Sequence, residues 1–175
     1  MNQLHSMLSA IAVGYEEEHS IQERIASVLV EQKKTLSLAE SCTGGAIAQE
    51  ITAVAGASTY FKGSVVPYET HQKTAILGVD KQLIETHSVV SIPVAEAMAT
   101  QCAKLFQTDY AVATTGIAGP TKGDGVDEVG TVCIAIASPM GVVSDTFSFG
   151  KLRERVIAKA TNKAFEMLLK EILKN

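Results

Sequence analysis

A chain of 175 residues that is 46% hydrophobic and 19% charged can bury one sizeable core and is short for two independent domains. Its net charge of -4, with lysines and arginines scattered rather than grouped, argues against a phosphate-backbone binder, so no nucleic-acid partner is expected. No apolar run approaches the roughly 20 residues of a membrane helix, and Met1 to Val13 lacks the basic start and apolar centre of a signal peptide; a cytoplasmic protein with no membrane partner is expected.

The first predicted element is a helix: Ser20-Ile21-Gln22-Glu23 reads as a capping box, and Ile21, Ile25, Val28 and Leu29 recur at helical spacing up to about Gln32. A strand from about Thr35 to Ala39 follows, and Ala46 to Thr52 resumes helical spacing. The stretch LAESCTGG, Leu38 to Gly45, therefore occupies a strand-to-helix turn. Val94, Met98, Cys102 and Leu105 predict another helix, Tyr110 to Ala113 a strand, and Val129 to Ala137 with Val142 to Phe149 a strand pair. The last helix carries its apolar face on Ile157, Ala160, Ala164, Leu168 and Ile172. Five of the 13 glycines fall between Gly116 and Gly130, in GIAGPTKGDGVDEVG; compact domains rarely keep such a long irregular loop without a functional use for it. Alternating helical and extended patterns, without a repeat or a linker, predict a single α/β domain over residues 1–175.

The titratable side chains narrow the chemistry. Cys42, Cys102 and Cys133 are odd in number and far apart, which suggests reduced thiols rather than disulfides or a thiolate zinc site. His5, His19, His71 and His87 are equally scattered, so no metal site and no cofactor are expected. The turn after the first strand is the candidate site. A helix N-terminus stabilises an anion or a developing oxyanion, and Gly44 and Gly45 admit close approach to the backbone. The structural alternative is that Ser41 or Thr43 merely caps the helix. A nucleophilic serine needs a base, and a lysine serves if burial lowers its pKa enough for it to be neutral near pH 7.

The motifs AESCTGG, GSVVPYETHQK, TTGIAGP and VGTV, in this order and spacing, resemble the CinA C-terminal domain family, over roughly Thr35 to Leu168. The resemblance implies a three-layer α/β/α sandwich around a mostly parallel mixed sheet, commonly a homodimer. It also implies an amidohydrolase that converts nicotinamide mononucleotide to the nicotinate mononucleotide and ammonia through a serine-lysine pair without a metal. Ser41 matches the family's nucleophile, Lys73 its general base and Tyr68 the associated tyrosine. Glu40, Thr43, Gly44 and Gly45 of the first motif are assigned to the substrate site, with Thr115, Gly116 and Gly119 as a ligand-facing loop. Glu40 is open to three readings: orienting Lys73, binding a ribose hydroxyl, or pairing as a buried structural carboxylate. Cys42 is an alternative nucleophile ranked below Ser41. Arg153 matches a phosphate-binding arginine, with Arg155 near enough to be confused with it; a guanidinium suits bidentate phosphate recognition.

The chain departs from that pattern in two places. GPTKGDGVDEVG lacks the glycine run and the Lys-Pro pair of many relatives and has Asp124, Asp127 and Glu128 instead, acidic residues unfavourable near a phosphate. GKLRER has one residue more than the usual Gly-Asp-Arg turn. Residues 1–34 resemble the segment joining this domain to a larger N-terminal partner in full-length CinA proteins. The other function carried forward is a non-catalytic nucleotide-binding or assembly module that keeps the fold without turnover.

Overall fold

The computed structural model describes residues 19–122 and 127–174. Met1 to Val13, most of the 1–34 segment and Asp124 therefore lie outside the described residues. Helix α1 (Ile21–Glu31) starts at the expected capping box: the Glu23 amide donates to Ser20 Oγ and the Ser20 amide to Glu23. The chain continues through β1 (Leu36–Glu40), α2 (Ala46–Ala53), β2 (Phe61–Val65), α3 (Thr70–Ala75), α4 (Lys81–His87), α5 (Ile92–Phe106), β3 (Tyr110–Gly116), β4 (Thr131–Ser138), β5 (Gly141–Ser148) and α6 (Arg153–Ile172).

The strands form one sheet in the order β2-β1-β3-β4-β5. β1 pairs in parallel with both β2 and β3, and β4 runs antiparallel to β3 and β5. Four strands thus share one direction and β4 opposes them, the expected mostly parallel mixed sheet. The connection from β1 to β2 steps one way along the sheet and that from β2 to β3 steps back across β1. Right-handed crossovers then place α2 and α5 on opposite faces, which produces the three layers. The reversal occurs at the C-terminal end of β1, where open α/β sheets leave a crevice.

Strand alternation sorts large and small residues onto the two faces. Leu36, Leu38, Tyr110, Val112, Val132, Ile134 and Ile136 pack with α1, α2 and α6. Ala39, Ala111, Ala113, Cys133, Ala135 and Ala137 face the α5 side, with Val94, Met98 and Cys102 of α5. The small side chains let α5 lie close to the sheet across β1, β3, β4 and β5.

At the opposite end of the strands from the crevice, Asp109 accepts from the Thr35 amide and hydroxyl and from Lys34 Nζ, all at 2.8 to 2.9 Å. These bonds tie the start of β1 to the start of β3. Asp109→Ala is expected to lower stability by about 1–3 kcal/mol, since the half-buried donors lose their acceptor. A urea midpoint equal to that of the unsubstituted chain would show that water replaces the carboxylate.

Three elements escape the sequence reading: β2, α3 and α4. Strand β2, FKGSV, sits at the sheet edge and shows no alternation. Helix α3 has six residues, and the one it buries is Lys73. Strand β3 also runs three residues beyond the expected Ala113, to Gly116.

Candidate active site

The turn that follows β1 is held by the residue that precedes it. Glu40 is fully buried, and its carboxylate accepts from Thr43 Oγ1 at 2.7 Å, from the Gly45 and Ile47 amides at 3.1 Å and from the Ala48 amide at 2.8 Å. The cap position of α2 is Gly45, at φ 101°, which has no side chain to do this. Glu40 thus satisfies the unpaired amides and complements the positive end of α2. Of the three readings of Glu40, these bonds match the buried structural carboxylate. The amides of Gly45, Ile47 and Ala48 are thereby taken, so an anion held at this turn would need other donors. Thr43 does not cap α2 either; its hydroxyl bonds Glu40 and, at 2.8 Å, Thr114 Oγ1.

Ser41 begins the turn, its amide donating to the Thr114 carbonyl at 3.0 Å. Lys73 Nζ lies 3.0 Å from Ser41 Oγ and donates to the Pro67 carbonyl at 2.9 Å. Lys73 is 1% exposed, and burial, which disfavours the ammonium form, lowers its pKa to about 8. About a tenth of the amine is then neutral at pH 7. A thiolate at Cys42 and the Glu69 carboxylate would oppose this shift. Burial pushes the Cys42 thiol up to about 12, so at neutral pH it carries no charge with which to hold the ammonium and has almost no thiolate character.

These groups open onto a cavity of about 300 Å³ lined by Ser41, Cys42, Tyr68, Lys73, Thr115, Gly116, Gly119 and Arg153 together with Thr70, Val89, Val90, Ile117, Ala118 and Thr121. Ser41, Lys73, Tyr68, Thr115, Gly116, Gly119 and Arg153, seven residues singled out from the sequence, meet here. Glu40, Thr43, Gly44 and Gly45 stand beside the cavity and are not part of its lining. Arg153, at the start of α6, donates to the Gly119 carbonyl at 2.8 Å and to Tyr68 Oη at 2.9 Å. Arg155 is exposed and lies outside the lining. Thr115 Oγ1 donates to the Val89 carbonyl at 2.9 Å and so fixes the wall opposite β3.

The glycines of the long loop have a packing reason as well. A Cβ on Gly116 would lie 2.6 Å from the Thr131 carbonyl oxygen, and one on Gly130 1.9 Å from that of Gly150. The backbone at these two positions approaches the neighbouring strand or turn too closely for any side chain. Of the acidic residues in this loop, Glu128 forms an ion pair with Lys122, and this bond lowers its pKa.

Pro67, Thr70, Thr114, Val89 and Val90 were not read from the sequence as part of the site. Pro67 stands beside Tyr68 in VVPYETHQK, but it contributes its carbonyl, which residue type cannot reveal. Among the described residues, no group of three or more histidines, cysteines or carboxylates could hold a metal ion, and no helix is long and apolar enough to cross a membrane.

Comparison with known proteins agrees with this geometry at the level of the family. The CinA C-terminal domain profile matches residues 18–172. A CinA-like protein of Flavobacterium psychrophilum is 54% identical over 175 residues, covering 100% of this chain and 42% of its own length. One from Fervidobacterium nodosum is 40% identical, over 95% of this chain and 40% of its own. The chain thus spans less than half the length of these curated relatives. A crystal structure of a CinA superfamily protein from Klebsiella pneumoniae superposes with a TM-score of 0.84 at 29% identity, covering 90% of this chain and 100% of that one. A competence/damage-inducible protein from Agrobacterium tumefaciens gives 0.80 at 32% identity, covering 86% and 94%. With its sheet order, its Ser41 turn and these matches, the chain belongs to the CinA C-terminal domain family.

Proposed function

We propose that this domain is a serine amidohydrolase that converts nicotinamide mononucleotide to nicotinate mononucleotide and ammonia. The observation that carries the reading is the 3.0 Å contact between Lys73 Nζ and Ser41 Oγ in a buried setting that brings the lysine to about 8. A neutral amine at that distance accepts the serine proton as Oγ attacks the carboxamide carbon. The tetrahedral oxyanion then needs a donor. The amide of Cys42, the one next to the nucleophile, is proposed as that donor. Collapse of the intermediate breaks the C–N bond, and the proton held by Lys73 passes to the departing ammonia. Water, activated by the same amine, cleaves the acyl ester and regenerates Ser41.

The substrate part of the proposal rests on the family resemblance together with the cavity's composition. Val89, Val90 and Ile117 offer an apolar wall to a flat ring, and Arg153 supplies a fixed positive charge at the rim. Arg153 is proposed to bind the phosphate through the guanidinium edge not used by Gly119 and Tyr68. Arg153→Ala is then expected to raise KM for the nucleotide about tenfold or more, the effect of losing a charge-assisted bond. Arg155→Ala is expected to leave KM unchanged. Steady-state kinetics on both variants checks this, and a rise confined to Arg155→Ala would move the anion contact to that residue.

A further inference from the structure

The reaction proposed above leaves Glu40 without a chemical step, although it directly precedes the nucleophile. We propose that Glu40 is a positioning residue for Ser41, whose carboxylate fixes the 41–45 turn by standing in for the cap that α2 lacks; the inference rests on reading Ser41 as the nucleophile. Within the turn, the Gly44 amide donates to the Ser41 carbonyl and the Ala46 amide to the Thr43 carbonyl, both at 3.1 Å, and few side chains add to these bonds. Gly44 and Gly45 have positive φ and no side chains, and Cys42 is its one buried apolar residue. On one side Ser41 is tied to β3 through the Thr114 carbonyl. On the other, Glu40 gathers the amides of Gly45, Ile47 and Ala48, and the Thr43 hydroxyl links its carboxylate to Thr114. The turn is therefore closed at both ends, and the Glu40 carboxylate is met by four neutral donors, which suits a fixed frame.

Placement of this kind matters because a reacting atom displaced by about 1 Å can cost on the order of 100-fold in rate. Glu40→Gln is the informative variant. Oε2 accepts three of the bonds and Oε1 one. With its oxygen at the Oε2 position, a glutamine turns its NH2 towards the Ala48 amide. Two donors then face each other, in a side chain of nearly unchanged size.

The test uses the purified chain and a fluorophosphonate at saturating concentration, with the rate of Ser41 phosphonylation followed by intact mass. This readout needs no assumption about the natural substrate. The unsubstituted chain is expected to be labelled at Ser41. Glu40→Gln is expected to react about 10- to 100-fold more slowly, with the pH midpoint of labelling unchanged, because Glu40 bonds Thr43 and the α2 amides while Lys73 bonds Ser41 and Pro67. Labelling of Glu40→Gln at the rate of the unsubstituted chain, with only a lower Tm, would overturn the positioning role while leaving the nucleophile standing. No labelling of Ser41 in the unsubstituted chain would overturn both. If Glu40→Gln does not fold, Thr43→Val decides the matter. It removes one donor to the carboxylate and should slow labelling about tenfold, with recovery in Thr43→Ser; equal rates in all three would contradict the proposal.

Discussion

Ser41→Ala is expected to lower turnover of the nucleotide by about 10⁴-fold or more, since residues that act as a catalytic unit lose nearly everything when the nucleophile goes. The fold should survive. The serine hydroxyl removes only one partner of Lys73, which keeps the Pro67 carbonyl, and the Ser41 amide keeps its bond to Thr114. Cys42→Ala is expected to stay within a few-fold of full activity. Its thiol is pushed up to about 12 by burial, which leaves negligible thiolate at neutral pH. Circular dichroism and turnover on both variants decide it. A dead Cys42→Ala beside an active Ser41→Ala would place the nucleophile on the sulfur.

Lys73→Arg is expected to be nearly as inactive as Lys73→Ala. The guanidinium keeps the charge and cannot surrender its proton, so it cannot serve as a base. The pH profile gives the same test without a substitution. The base form of Lys73 is the neutral one, and its folded pKa lies near 8, lowered from 10.5 by burial. Activity should therefore rise about tenfold per pH unit below 8 and level off above it. A profile flat from pH 6 to 9, or an arginine variant that keeps most of its turnover, would leave the lysine as a fixed charge and require another base.

The elements legible in the sequence are those built on apolar periodicity. Helices α1, α2, α5 and α6 and strands β1, β3, β4 and β5 present their large residues to a core at regular spacing, and their limits fall within a few residues of expectation. Strand β2 was hidden because Lys62 and Gly63 interrupt it at the sheet edge. Helix α3 was hidden for a more instructive reason. Periodicity looks for buried apolar residues, and α3 buries a lysine, so on composition alone Lys73 reads as a solvated helix residue. The motifs named Ser41, Lys73, Tyr68 and Arg153, and the fold gathers all four around one cavity. What the motifs could not separate was AESCTGG itself: Ser41 and Cys42 face the cavity between Glu40 and Thr43, which hold the turn. Glu40 and Thr43 turn inwards to α2 and β3, a distinction made by direction rather than residue type. The contributions of the Pro67 and Gly119 carbonyls belong to the backbone and leave no trace in residue identity.

The most direct measurement is ammonia release from nicotinamide mononucleotide by the purified chain at pH 8, followed alongside formation of nicotinate mononucleotide. The account predicts equimolar ammonia and nicotinate mononucleotide from the unsubstituted chain, and neither from Ser41→Ala. Binding of the nucleotide with no ammonia above the Ser41→Ala background would contradict it and identify the domain as a binding module that keeps the geometry without the reaction.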